Sequence, residues 1–301
     1  MPTIQQQVNL AGQCRFGVGG NADFFAQVSG AQELVSALDY ARQHRLRFVV
    51  FAGGSNLFFD DAGFRGLVIR LHNGDWHLDD KTGLVTAGAG FELWTLIREL
   101  AERGRGGLEF LANIPGSVGG AVVGNAGCYG RSVSEVLESA TVIDVEAGEE
   151  LAVQPEFFEY DYRHSRVKND PRYVVTSAVL RTTARDRAET LSEIAQELDL
   201  RESKHPHNAK CAGSYFKNPS RERPAWQVIT DAGLAGARVG DAMLSPRHAN
   251  FLVNAGQATS AEIIELTQLI QRGVFDNSGI ALTPEVRYVS PTGFVELAPP
   301  T

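Results

Sequence analysis

Apolar residues recur at helical spacing in several stretches of the 301-residue chain. Leu34, Val35, Leu38 and Ala41 place an apolar stripe on a helix over residues 31–44, and 48–52 then reads as a short buried strand. Strands are also expected at 67–71 and 84–87. A second helix is predicted over 91–103, where Leu93, Leu96, Ile97 and Leu100 share a face and Gly104 takes the C′ position. A hairpin is expected from 141–145 and 151–153, joined through Ala147-Gly148-Glu149, and 173–181 has strong strand character. Helical periodicity returns over 184–200. In the last third, a short helix over 224–232 ends at Gly233, and a strand is expected at 251–254. Thr259-x-x-Glu262 forms a capping box that opens a helix over 260–275. A strand at 285–289 closes the series. Helices and strands alternate without a regular βαβ repeat, so the predicted class is α+β, with a domain boundary between 181 and 201.

The charge balance removes several classes of function. The chain has 28 basic and 36 acidic residues, a net charge of −8. Affinity for nucleic acid rests on neutralising phosphates with Lys and Arg, so no nucleic-acid partner is expected. Wholly apolar runs such as 48–52 are too short to cross a bilayer, and MPTIQQQVNL lacks the basic and apolar regions of a signal peptide. A cytoplasmic protein with no membrane partner is the expectation. Cys14, Cys128 and Cys211 are too widely spaced for a zinc site and too few for a disulfide framework, so no metal is expected.

The 31 glycines are unevenly distributed. Gly53-Gly54-Ser55-Asn56 directly follows the strand at 48–52, where glycines let backbone N–H groups converge on an anion. A tight turn would use the same residues. Neither a P-loop nor a G-x-G-x-x-G between strand and helix occurs. The second cluster, residues 113–130, carries six glycines and no charge. So many small residues build no core of their own; they suit a backbone wrapped closely on a large flat ligand. Two such loops imply a dinucleotide held between two lobes. A third signal is a basic island over 201–223, net +4 in an acidic chain, which surrounds Gly213-Ser214 and suits a diphosphate.

Ala52-Gly-Gly-Ser-Asn-Leu57 and Ile114-Pro-Gly-Ser-Val-Gly-Gly-Ala121 resemble the FAD loops of the two-lobed PCMH-type (vanillyl-alcohol-oxidase-like) flavin fold. Asn125-Ala-Gly127, Asp161-Tyr-Arg163-x-Ser165, Gly213-Ser-Tyr-Phe-Lys-Asn-Pro219 and Pro284-Glu-Val-Arg287 narrow the resemblance to the UDP-N-acetylenolpyruvoylglucosamine reductase (UDP-N-acetylmuramate dehydrogenase) family of peptidoglycan precursor synthesis. It extends from Phe16-x-x-Gly19-Gly20 to Tyr288. Any one motif is weak; their order along one chain is specific.

The resemblance implies a first FAD lobe over 1–72, a second over 73–185, and a smaller α+β domain for the UDP-sugar over 186–301, whose last strand near 285–289 returns to the active site. It implies FAD bound through Gly53, Gly54, Ser55, Asn56, Pro115, Gly116, Ser117, Gly119, Gly120, Asn125 and Gly127. Ser55 and Asn56 stand where covalently flavinylated relatives have a histidine, so the FAD is expected to be non-covalent. NADPH is the implied co-substrate. By motif, Arg163, Ser214 and Glu285 are catalytic, with Ser214 protonating the enol, and Tyr162, Lys204, Lys217, Asn218 and His248 contact the substrate. The 51 positions from Arg163 to Ser214 match the shorter subclass, which lacks a tyrosine-bearing lid. A monomer is expected.

The residue types suit that chemistry independently. Adding hydride to a C=C bond conjugated with a carboxylate builds enolate charge, which a planar guanidinium stabilises bidentately. A hydroxyl in reach of the neighbouring carbon then delivers the proton, tuned by Glu285 or Lys217. Each residue alone has an ordinary explanation: a surface Tyr-Arg pair, a turn serine, a solvated glutamate, a capping histidine. Two alternatives are another PCMH-fold FAD oxidase or dehydrogenase of an alcohol or hydroxy acid, and a non-catalytic flavin- or nucleotide-binding module.

Overall fold

The structure, a computed structural model, describes residues 1–206 and 209–299, with the Lys204 side chain outside the described residues. Two compact units divide the chain: residues 1–5, 25–53 and 68–201 form the first, and 6–24, 54–67 and 202–301 the second.

The first unit holds a five-stranded antiparallel sheet in the order Glu149–Val153, Leu137–Asp144, Tyr173–Arg181, Leu84–Gly88, Trp76–Asp79. The expected hairpin is its outer pair. Helix α1 (Ala31–Gln43) buries Leu34, Ala37, Leu38 and Ala41, so Ala37 joins the predicted stripe in place of the half-buried Val35. Helix α2 (Leu93–Glu102) buries Leu93, Leu96, Ile97, Leu100 and Ala101, and Gly104 at φ 69° follows its end as predicted. Helix α3 (Val118–Gly124) is unforeseen, because glycines at 119, 120 and 124 oppose a helix by about 1 kcal/mol each. Two features overcome that penalty: Ser117 Oγ accepts from Gly120 N at 3.2 Å, and α3 packs on Tyr173–Arg181. Helices α4 (Arg166–Asn169) and α5 (Arg187–Lys204) complete the described helices of this unit, apart from the end of α5 beyond residue 201.

The second unit has a four-stranded antiparallel sheet, Lys210–Cys211, Leu252–Asn254, Ala242–Leu244, Arg238–Val239. A three-stranded sheet pairs Arg287–Ser290 antiparallel with Gly293–Val295 and parallel with Leu57–Phe59. Helix α6 (Ala225–Asp231) ends before Gly233 at φ 71°. Helix α7 (Ser260–Ser278) opens on the predicted Thr259–Glu262 capping box and outruns the expected end by three residues, stopping at Gly279 in the left-handed region. Its inner face buries Ile263, Leu266, Ile270 and Val274.

A further sheet is ordered Ile4–Asn9, Asn21–Val28, Phe64–Leu71, Phe48–Phe51, and the chain passes between the units within its first three strands. The boundaries expected at 72/73 and 185/186 therefore differ from the compact units. Strand Leu57–Phe59, assigned by its position to a first lobe, belongs with Arg287–Ser290, and residues 186–201 of α5 stay with the first unit. A division drawn along the sequence has no means of expressing a parallel pairing between residues more than 200 positions apart.

Candidate active site

Backbone contacts fix the loop at 52–56. Gly54 adopts φ 60°, and a Cβ there would stand 2.4 Å from the Gln13 carbonyl oxygen, so a side chain is excluded. Asn56 Nδ2 donates to the Glu285 carbonyl at 3.3 Å, and Asn56 O accepts from Arg287 N at 3.0 Å. Asn56 thus braces the Pro284-Glu285-Val286-Arg287 segment, a structural contact that its expected cofactor role did not include. Among the described residues, no backbone acceptor takes the N–H of Gly53, Gly54 or Ser55.

In the first unit, the backbone of Gly53 faces that of Gly116, which follows Pro115: a Cβ on Gly53 would lie 3.5 Å from Gly116 Cα. Within the first unit, the structure therefore sets the start of the first cluster, Gly53, against Gly116 of the second. Beyond Gly116 the glycines part in role. Val118 N and Gly119 N donate to Phe91 O and Ala89 O at 2.9 and 2.8 Å, and a Cβ on Gly119 would stand 2.5 Å from that of Ala89. Gly119 is thus required by packing within the protein, whereas Gly120 is exposed and its Cβ would meet only Ser117 Oγ, at 3.2 Å. Asn125 caps α3 in the left-handed region, at φ 44°, and a Cβ on Gly127 would collide with Arg131 O.

The Asp161-Tyr-Arg-x-Ser165 turn is stapled to that same end of α3. Tyr160 Oη donates to Val122 O at 3.0 Å, Ser165 Oγ to Val123 O at 2.6 Å, and Asn125 Nδ2 to Asp161 O at 3.0 Å. Arg163 Nη1 and Nη2 reach Asn125 O and Gly127 O at 3.5 and 2.5 Å. The Arg163 backbone lies at φ 53°, a conformation that costs a non-glycine residue about 1–2 kcal/mol and marks a site held by its surroundings. Tyr162 is exposed and lies against the guanidinium, 5.3 Å from Arg163 Cζ to the ring centroid.

In the second unit, Ser214 is exposed on the loop after Lys210–Cys211, between Gly213 at φ 81° and the fully buried Tyr215. Tyr215 fixes the loop, its hydroxyl 2.7 Å from Thr267 Oγ1. Glu285 N donates to Tyr215 O at 2.7 Å and Lys217 N to Thr283 O at 2.9 Å, so 215–217 and 283–285 run as an antiparallel bridge. Ser214 and the half-buried Glu285 are thereby held one residue apart across that bridge.

Of the expected substrate residues, Asn218 Oδ1 accepts from Ala225 N at 3.0 Å at the start of α6. His248 is half-buried among Phe251, His205 and Trp226, and its Nδ1 accepts from Asn250 N at 3.2 Å. Burial pushes the His248 pKa down, so the ring is neutral and carries its proton on Nε2. The Lys204 side chain lies outside the described residues.

Comparisons with known proteins supply the family. A model of the FAD binding domain matches residues 22–154, and a model of the UDP-N-acetylenolpyruvoylglucosamine reductase C-terminal domain matches residues 205–289. The UDP-N-acetylenolpyruvoylglucosamine reductase of Synechococcus sp. (strain JA-3-3Ab) is 38% identical over 285 residues, covering 94% of this chain and 90% of the relative. The chain belongs to the UDP-N-acetylenolpyruvoylglucosamine reductase family. The Bacillus pumilus (strain SAFR-032) reductase is 34% identical, over 93% of this chain and 92% of its own length. The crystal structure of the Thermus caldophilus reductase superposes with a TM-score of 0.79 at 33% identity, covering 96% of this chain and 99% of that one. These matches bear out the α+β flavin fold and the family expected from the motifs.

Reductases of this family are NADPH-dependent FAD enzymes, and the donor set here fits a flavin dinucleotide. The N–H groups at 53–55 suit a pyrophosphate, and Asn113 Oδ1 is a buried acceptor without a partner among the described residues. Sequence reasoning missed Asn250, whose side chain accepts from Phe216 N and donates to Phe216 O, both at 2.9 Å, while its backbone carbonyl accepts from Tyr215 N. It sets the Ser214 loop. One buried asparagine ahead of an apolar run gives no periodic signal, and only its spacing two residues after His248 sets it apart. Asn73 was missed likewise; its carboxamide spans Thr176 O and Gly90 N, both at 2.6 Å, and shapes the turn on which Gly119 packs.

Proposed function

We propose that this chain reduces the enolpyruvyl C=C bond of a UDP-linked N-acetylglucosamine with Arg163, Ser214 and Glu285 as its catalytic residues. The enzyme class is that of the family: an NADPH-dependent FAD oxidoreductase, UDP-N-acetylmuramate dehydrogenase. Bound FAD supplies the hydride chemistry, and the loops at 53–56 and 113–127 hold it without a covalent link.

The chain's own residues manage charge and proton. Arg163 stabilises the negative charge that grows on the substrate carboxylate; its guanidinium is already oriented by two carbonyls, so little reorganisation accompanies the reaction. Ser214 Oγ gives the proton to carbon, and Glu285 or Lys217, both on the bridge that follows it, resupplies the hydroxyl. Lys204, Lys217, Asn218 and the basic residues of 201–223 bind the diphosphate and sugar. The observation that supports this reading is the backbone hydrogen bond from Glu285 N to Tyr215 O, which ties the segment carrying Glu285 to the residue after Ser214, 71 positions away in the chain.

No helix among the described residues is long and apolar enough to cross a membrane; a monomer in the cytoplasm is part of the proposal. An alcohol oxidase on the same fold would need a base at the carbinol and no diphosphate island. Anaerobic addition of NADPH should bleach the flavin absorbance, and addition of the enolpyruvyl UDP-sugar should restore it. Bleaching without recovery would exclude the reductase, and a protein that stays yellow with NADPH would support the binding module.

A further inference from the structure

Helix α5 sits beside the glycine-rich cofactor segment and contributes one carboxylate to it. Glu197, half-buried on α5, accepts at Oε2 from Tyr129 Oη at 2.6 Å. Asn113 Nδ2 donates to the Glu197 carbonyl at 2.9 Å and lies 3.5 Å from the same Oε2. Asn113 opens the segment and Tyr129 stands one residue from its end, so a single residue joins both ends of 113–130. All of these contacts lie within the first unit.

Tyr129 makes a poor packing residue as it stands. It is 63% exposed, and its backbone occupies the left-handed region at φ 55°, which disfavours an aromatic side chain. What the conformation achieves is to aim the hydroxyl at Glu197. Although the residue is largely exposed, local desolvation of the hydroxyl and its hydrogen bond to the Glu197 carboxylate both raise the phenol's pKa, so it remains a donor at any physiological pH. The residue before it, Cys128, continues from Gly127, whose carbonyl orients Arg163.

We propose that Glu197 is a positioning residue, a clasp that closes the glycine-rich segment at Asn113 and Tyr129 and so sets its affinity for FAD and the placement of Arg163. The inference rests on the reading that 113–127 holds the cofactor. A chain of small residues with few side-chain contacts has many accessible conformations, and fixing its two ends removes most of them before the ligand binds. The Tyr129 contact is to a carboxylate, and charge-assisted hydrogen bonds are the stronger kind, while the Asn113 contact is mainly to the neutral Glu197 carbonyl.

The test uses the full-length protein stripped of flavin and titrated with FAD, followed by flavin fluorescence and thermal melting. Tyr129→Phe removes only the hydroxyl, and Glu197→Ala removes the whole carboxylate; each should weaken FAD binding on the order of tenfold. The double variant should be no weaker than the poorer single variant, because the two groups act through one contact. Glu197→Gln, whose amide oxygen still accepts, should recover most of the affinity, and the flavin-free melting temperature should change little throughout. Additive losses, or a lower flavin-free melting temperature at unchanged FAD affinity, would overturn the clasp. A Gly120→Val control separates the two failures. Lost FAD binding in that control, with clasp variants unaffected, sinks the clasp alone. Full FAD binding in Gly120→Val sinks the cofactor assignment beneath it.

Discussion

Ser214 tests the mechanism at the scale of one residue. In the proposed mechanism its hydroxyl has no part in oxidising NADPH, so Ser214→Ala should bleach with NADPH at close to the unmodified rate. Reoxidation by the enolpyruvyl substrate should slow by ~10²- to 10⁴-fold, the loss expected for a positioned general acid and equivalent to roughly 3–5 kcal/mol of barrier. Anaerobic stopped-flow absorbance resolves the two steps; equal slowing of both would return Gly213-Ser214 to an ordinary turn. Residue types and motif order are what single out Ser214, Arg163 and Glu285 for the proposed roles, because the chemistry restricts which side chains could serve. Asn250 was not legible, because its part depends on reaching both polar groups of Phe216, which only the fold brings within range. His248 gives a second residue-scale prediction. Its folded pKa is lowered by burial, so below the unfolded value of about 6.5 the unfolded chain binds the extra proton first, and stability falls as pH falls through that window. The melting temperature should drop more steeply from pH 7 to 5 in the unmodified protein than in His248→Gln; parallel curves would mean that the ring titrates alike in both states.

Among the elements, α3 shows where periodicity fails and packing succeeds. The long helices and the hairpin were readable, since each buries a face whose period is visible in sequence. Val-Gly-Gly-Ala-Val-Val-Gly has no such stripe, and its helix depends on the Ser117 cap and on the close approach of Gly119 to Ala89. Those dependencies separate two adjacent glycines. Gly119→Ala forces a Cβ to 2.5 Å from that of Ala89, and the strain should lower flavin-free stability by roughly 1–3 kcal/mol. Gly120→Ala places a methyl at an exposed helical site and should keep or raise flavin-free stability, by up to about 1 kcal/mol from helix propensity. Chemical denaturation of both flavin-free variants checks the pair. Equal destabilisation would show that the close approach to Ala89 is not what requires a glycine at 119.

For the whole molecule, the discontinuous second unit makes a prediction that the linear division at 185/186 would not. Residues 202–301 contain the whole match to the reductase C-terminal domain and most of the substrate domain expected from the sequence at 186–301. Their last strand, Arg287–Ser290, nevertheless has Leu57–Phe59 as its parallel partner, with Asp60 N donating to Val289 O at 2.9 Å. Tyr288 stacks on Phe58 with ring centroids 5.2 Å apart and donates its hydroxyl to Asp60, while Asp61 accepts from Ser260 N and Oγ at 2.6 and 2.8 Å at the start of α7. Phe16, Phe58 and Phe59 are fully buried in this unit and absent from the fragment. At roughly 1.5–3 kcal/mol for each buried aromatic side chain, their loss is of the same order as the 5–15 kcal/mol that holds a typical domain together. The fragment 202–301 should therefore show no cooperative thermal transition by circular dichroism and little amide dispersion in a ¹H–¹⁵N spectrum. A chain that also carries residues 6–24 and 54–67 keeps the parallel pairing and should melt cooperatively. Cooperative unfolding of 202–301 by itself would mean that the strand from 57 to 59 is an accessory to this unit, and that the continuous C-terminal boundary describes the folding unit after all.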